Sequence, residues 1–193
     1  MKKRTLLSLG ASAGLLAGSP ALAAAGRAPA GPVLLTVSGA IRRRNRGAVD
    51  AALDQLLVKH GVQFDAAWGF DSAALARLPA VTIRPTLEYD ARPHTLRGPL
   101  LDTLLDAAGA PADAGLRLRA LDGYNVMLTR ADARAYRMIV ATQIDGAPLS
   151  LGGLGPQWAV YDADALAAFK ERPLRERFGL CPWGLYHLEV RAG

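Results

Sequence analysis

The chain is expected to fold as a single α+β domain, with mixed β-sheets and peripheral helices. Three observations lead there. Short β-runs of four to eight residues recur along most of the length, punctuated by the turn dipeptides Asp122-Gly123 and Asp145-Gly146. Between them lie only a few stretches with apolar residues at helical spacing, at 48–60 and 100–108. No internal repeat and no linker-like composition divides the chain, so one core has to serve all of it.

In order, residues 24–32 are rich in Ala, Gly and Pro and read as a flexible N-terminus. Residues 33–39 (VLLTVSG) form a β-run ending at Gly39. Val49, Ala52, Leu53, Leu56, Leu57 and His60 lie on one helical face, with Gly61 as C-cap, which predicts a helix over 48–60. Residues 62–64 are short and extended. Asp71 opens a capped helix that Pro79 stops, and residues 81–84 are a strand ended by Pro85. Residues 94–97 are extended. Pro99 sits at a helix start, Leu100, Leu101, Leu104, Leu105 and Ala108 share a face, and Gly109 ends it. Leu and Arg alternate through 116–121, and Asp122-Gly123 turns that strand into 124–128. A helical turn near Ala131 precedes a strand at 136–142. A small helix over 163–170 and a closing strand at 185–190 (LYHLEV) complete the chain.

The N-terminus has its own logic. Lys2, Lys3 and Arg4 precede a short apolar, Gly/Ser-containing run and the small-residue site Ala21-Leu22-Ala23. That is the layout of a secretory signal peptide over residues 1–23, cleaved after Ala23, and it predicts a periplasmic protein with no transmembrane segment in the mature form. Removing those cations takes the formal net charge from +6 to +3. Much of the remainder is the cluster Arg42-Arg43-Arg44-Asn45-Arg46, read as a solvated loop; an exported protein is a poor partner for nucleic acid. Cys181, the only cysteine, has no internal disulfide partner, and His60, His94 and His187 lack metal-ligand spacing.

The least generic stretch is residues 144–161, IDGAPLSLGGLGPQWAVY, where four glycines and two prolines precede Trp158. Its glycines allow a backbone to approach something closely, with an aromatic at the exit. There is no G-x-S-x-G, phosphate-loop or dinucleotide fingerprint, so no catalytic residue is assigned.

Six stretches in this order resemble the molybdopterin-binding domain of the sulfite oxidase family: LLTVSG (34–39), FDSAALARLPAVTI (70–83), HTLRGPLLDTLLDAAGA (94–110), LDGYNVML (121–128), IVATQIDGAPLSLGGLGPQWAVY (139–161) and WGLYHLEV (183–190). They imply a sulfite oxidase-like (oxidoreductase molybdopterin-binding) domain over 33–193, interrupted by an insertion at 42–60. Asp162 departs from the pattern, because relatives often carry Pro there. The family's enzymes hold molybdenum through a cysteine just after the strand that is here 81–84. This chain has Pro85, Thr86, Leu87, Glu88 and Tyr89 instead, with Cys181 about a hundred residues away. The resemblance is therefore to the small exported members that lack the ligand. These imply a pterin bound without molybdenum and presented to the periplasmic domain of a membrane-bound sensor controlling cyclic-di-GMP turnover and biofilm formation.

A flat pterin stacks on an aromatic face and bonds at its rim. The resemblance points to Trp158 for stacking, Gly153 and Gly155 for close backbone approach, and Arg84, Tyr89, Asp122 and Tyr124 at strand ends and turns. The alternatives are a molybdopterin-dependent oxidoreductase with atypical metal ligation and a protein-interaction module using residues 42–46.

Overall fold

A computed structural model describes residues 26–193; the expected signal peptide lies outside the described residues. The elements are β1 Val33–Gly39, α1 Gln55–Lys59, β2 Ala67–Asp71, α2 Ser72–Ala76, β3 Ala80–Ile83, β4 Leu96–Pro99, α3 Leu101–Ala108, β5 Gly115–Ala120, β6 Asn125–Thr129, α4 Arg130–Ala135, β7 Ile139–Ala141, β8 Gln143–Ile144, β9 Ala147–Pro148, β10 Trp158–Val160 and β11 Leu185–Arg191, with a 3-10 turn at Leu174–Glu176. This is the mixed α+β architecture expected. No described helix is long and apolar enough to cross a membrane.

Three sheets share one core. The largest has the order β2-β1-β11-β5-β6, in which only β1 and β11 run parallel. The first and last strands of the chain are thus central neighbours. Its inner face carries Leu35, Val37, Leu116, Leu118, Leu188 and Val190, all at most 2% exposed. A four-stranded antiparallel sheet, β3-β4-β8-β9, and the pair β10-β7 close the core from the other side. Period-2 alternation explains the large sheet: in β5 the Leu residues point inward and Arg117 and Arg119 outward.

Helix α3 is set by its apolar face and by Gly109, which adopts φ +74° at the C-cap, a conformation costly for a residue with a Cβ. Helix α4 begins in a reciprocal capping box between Thr129 and Asp132. The two helices are joined by Arg130, 1% exposed, whose guanidinium bonds Asp102 Oδ1 at 2.6 Å, Asp106, and the carbonyl of Ala110 at 2.7 Å.

The chain departs from the sequence expectation in five places. The helix expected over 48–60 forms only as α1. Asp50 Oδ1 accepts from the Ala52 and Leu53 amides, and Asp54 from the Asp50 amide, so side chains cap the backbone into turns where helix would otherwise begin. Residues 163–170 are turns, with Asp162 and Asp164 taking the Asp164 and Thr86 amides respectively. The extended piece at 62–64 pairs with no strand, although Val62 is buried. Strand β2 is additional; Asn45 stands beside it like a strand partner, bonding both the N–H and the carbonyl of Gly69. The N-terminal stretch is tied down from residue 26 onward: Gly26 N–H donates to Arg44 O at 2.7 Å, and the Ala30 and Gly31 amides to Asp71 at 3.0 Å.

The segment expected as an insertion lies across the outer, polar face of the large sheet. Arg42, Arg43 and Arg44 are exposed, as a solvated cluster should be, but Arg46 is not part of it. Arg46 donates to Thr36 Oγ1 at 3.0 Å, pairs with Asp54 at 2.5 Å and lies over the Phe64 ring. Leu57 and Val62 form a small second core with Tyr186. A bulge in β11, where two residues advance against one on β5, turns Tyr186 toward that layer.

Candidate functional site

Three strand-end segments meet around a cavity of about 240 Å³ lined by Glu88, Tyr89, Ala120, Asp122, Tyr124, Arg175, Phe178, Gly179, Cys181 and Trp183. The first wall is the loop between β3 and β4. Leu87 N–H donates to Arg92 O at 2.9 Å and Ala91 N–H to Leu87 O at 3.0 Å, which folds the loop tightly and presents Glu88 and Tyr89. His94 fixes its base, bonding Asp90 at 2.9 Å and Asp145 of the β8-β9 turn at 2.6 Å. Those hydrogen bonds, from Asp145 first and then Asp90, raise the His94 pKa above its ordinary value.

The second wall is the β5-β6 turn. Asp122 Oδ1 accepts from the Tyr124 amide at 2.9 Å, a side-chain turn of the kind Asp-Gly sequences make. The Tyr124 hydroxyl donates to Gly179 O at 2.7 Å and so ties this turn to the third wall, residues 175–183. In that wall the Cys181 amide donates to Phe178 O at 2.8 Å. The Cys181 thiol is 4% exposed, and burial pushes it up to about 12, so it is a neutral thiol at any ordinary pH. Tyr89 is 56% exposed; desolvation of its phenol, with Glu88 beside it, pushes it up to about 12. The cavity therefore combines the rings of Tyr89, Tyr124, Phe178 and Trp183 with the carboxyl groups of Glu88 and Asp122. It can bind a flat molecule on its faces and accept hydrogen bonds from that molecule's rim.

Three of the seven residues expected at a binding site line this cavity: Tyr89, Asp122 and Tyr124. Four do not. Trp158 is 1% exposed, and its indole Nε1–H donates to Cys181 O at 2.8 Å, so it is a core residue behind the third wall with no face available to a ligand. Gly155 does sit at a close backbone approach, but to its own chain. A Cβ there would lie 2.5 Å from Leu149 C and O. Gly153 is exposed, with its amide donating to Ser150 O at 3.1 Å. Arg84 is exposed, its backbone amide 3.3 Å from Asp162 Oδ2.

The glycine-rich stretch works one layer further back. It folds onto residues 181–185, with the Gly184 amide donating to Leu154 O at 3.2 Å, Ala159 to Pro182 O at 3.2 Å and Leu185 to Gln157 O at 2.9 Å. It positions the wall and does not itself line the cavity.

Glu88, Phe178, Cys181 and Trp183 were not among the residues expected to bind. The available signal was position: like Asp122, Trp183 stands two residues from a strand end, in the motif that leads into β11. Among the described residues, no group of three or more His, Cys, Asp or Glu is placed to hold a metal ion.

No family model matches the sequence, and no curated protein matches it either. Among solved structures, the chain resembles the crystal structure of the sulfane dehydrogenase SoxCD from Paracoccus pantotrophus, with a TM-score of 0.53 and 13% sequence identity. The match covers 81% of this chain and 37% of that one, so this chain spans little more than a third of its neighbour. The likeness is one of fold alone, between two mixed α+β chains.

Proposed function

We propose that this protein binds a reduced pterin in the cavity between Glu88, Tyr89, Asp122, Tyr124, Phe178 and Trp183, and binds it without transforming it. The observation that carries this reading is the composition of the cavity. Aromatic rings and two carboxyl groups converge there from three strand-end segments, and a pterin has both a flat face and a guanidine-like edge that donates N–H groups. In its exported setting the loaded protein presents the pterin to the periplasmic domain of a membrane sensor that controls cyclic-di-GMP turnover and biofilm formation. That step rests on the sequence resemblance alone.

The pterin fits the residues present. A molybdenum centre has less to hold it, because residues 85–89, after β3, are Pro85, Thr86, Leu87, Glu88 and Tyr89 and the one sulfur among the described lining residues is Cys181, 4% exposed in another wall. The second reading, a molybdopterin-dependent oxidoreductase with atypical ligation, draws on one fact: Cys181, distant in sequence from residues 85–89, lines the same cavity as Glu88 and Tyr89.

The two readings are separated by isolating the exported protein from a molybdenum-supplied host. Mass spectrometry of the released small molecule should show a pterin, and elemental analysis should show no stoichiometric metal. Titration with a reduced pterin should then give at least tenfold weaker binding in Glu88→Gln and in Tyr89→Ala, a loss of about 1.4 kcal/mol or more. Absence of any bound or titratable pterin overturns the proposal, and stoichiometric molybdenum favours the second reading.

A further inference from the structure

A separate cavity of about 490 Å³ lies over the outer face of the large sheet and shares no lining residue with the aromatic one. Its floor is built by strand alternation: Ser38 on β1 stands opposite Glu189 on β11, Glu189 opposite Arg117 on β5, and His187 opposite Arg119. Its other walls are Arg44 and residues 61–66, and Phe64 stacks nearly parallel to His187, with centroids 6.2 Å apart and planes at 12°.

The charges of this cavity are incompletely matched. Three arginines (Arg44, Arg117 and Arg119) face two carboxyl groups (Asp65 and Glu189). Glu189 stands 3.7 Å from Arg117 and 3.6 Å from Arg119, beyond hydrogen-bond distance, and the buried Nε atoms of both arginines have no partner. His187 is 1% exposed; its Nε2 lies 2.9 Å from Ser38 Oγ, and its Nδ1 has no partner. Three buried nitrogens without partners at one cavity are a costly arrangement, and an oxyanion would relieve it.

We propose that this cavity is a binding site for a phosphate-class oxyanion, held by Arg117, Arg119 and His187. In the tautomer where the Ser38 hydroxyl donates to Nε2 of His187, Nδ1–H is left as a donor to a ligand oxygen. Guanidinium groups match the tetrahedral, multiply accepting geometry of phosphate. Burial, reinforced by the charges of Arg119 and Arg46, pushes the imidazole down to about 3, so the ring acts as a neutral donor. The volume leaves room for an organic group beyond the phosphate.

Calorimetric titration of the exported protein with inorganic phosphate and with phenyl phosphate, against chloride at matched ionic strength, tests the assignment. Saturable binding of either phosphate, absent with chloride, is expected. It should weaken at least tenfold in Arg119→Gln and in Arg117→Gln, with circular dichroism confirming that each variant is folded. The tighter of the two phosphates identifies the source as the free ion or an ester. If the unsubstituted protein shows no saturable response beyond chloride, or if folded Arg119→Gln binds as well as the parent, the site is refuted. The titration of the unsubstituted protein decides the question even where a variant fails to fold.

Discussion

Trp158 illustrates how a single residue can be noticed correctly and given the wrong task. As a large aromatic leaving a glycine-rich loop it looked like a stacking face. In the fold its ring is enclosed and its indole holds the carbonyl of Cys181. Nothing in its sequence neighbours separates those roles, because the partner it meets is 23 residues away. Trp158→Phe keeps most of the ring but leaves that carbonyl unpaired, and it should cost about 1–3 kcal/mol in urea denaturation. Trp158→Ala should cost about 3–5 kcal/mol through the cavity it opens.

Cys181 behind the same wall should resist a thiol reagent at pH 8 in the folded protein, since burial holds it as a thiol up to about 12, and react at once after denaturation. Arg130 carries a larger stake. It is buried with two carboxylates and a carbonyl as partners, so Arg130→Ala leaves the Ala110 carbonyl unpaired and Asp102 with Arg134 as its remaining cation, and it should cost about 1–3 kcal/mol by the same urea measurement.

At the scale of elements, legibility followed the strength of local rules. The β5-β6 hairpin and α3 could be read because alternation, the Asp-Gly turn and Gly109 all agree with the final packing. Residues 48–54 could not, because Asp50 and Asp54 offer the backbone a competing set of hydrogen bonds that apolar spacing does not register.

The loop carrying Glu88 and Tyr89 is held by an element contact of its own, His94 between Asp90 and Asp145, and this contact is sensitive to pH. The His94 pKa is raised in the folded state above 6.5, so its contribution is complete below 6.5 and is lost as pH rises through the folded value. Asp145 and Asp90 are both lowered, chiefly by the same His94 bonds, so their contribution is present above 3.8 and lost as pH falls through their folded values. Pterin affinity and melting temperature should therefore decline together as pH rises from about 6.5, and a His94→Ala variant should lose that slope. A slope unchanged in His94→Ala would detach the loop from this control.

Across the whole molecule, the large sheet serves two cavities by different means. The aromatic one gathers the ends of strands with the loops beside them, and sequence order pointed to three of its ten lining residues because strand ends announce themselves through turns and prolines. The basic one lies on the outer face of the same strands, walled by Arg44 and residues 61–66, and Arg117 and Arg119 meet His187 only through the antiparallel pairing of β5 with β11. No local pattern encodes that meeting. The two cavities have no lining residue in common, so their ligands should bind independently. In a folded Arg119→Gln protein, phosphate binding should fall at least tenfold while pterin affinity stays within about twofold of the parent. Glu88→Gln should show the reverse. Coupled losses in both variants, measured by titrating each ligand with the other absent and then saturating, would instead mean that β5 transmits changes between the two, because Arg119 and Ala120 adjoin on that strand and face one cavity each.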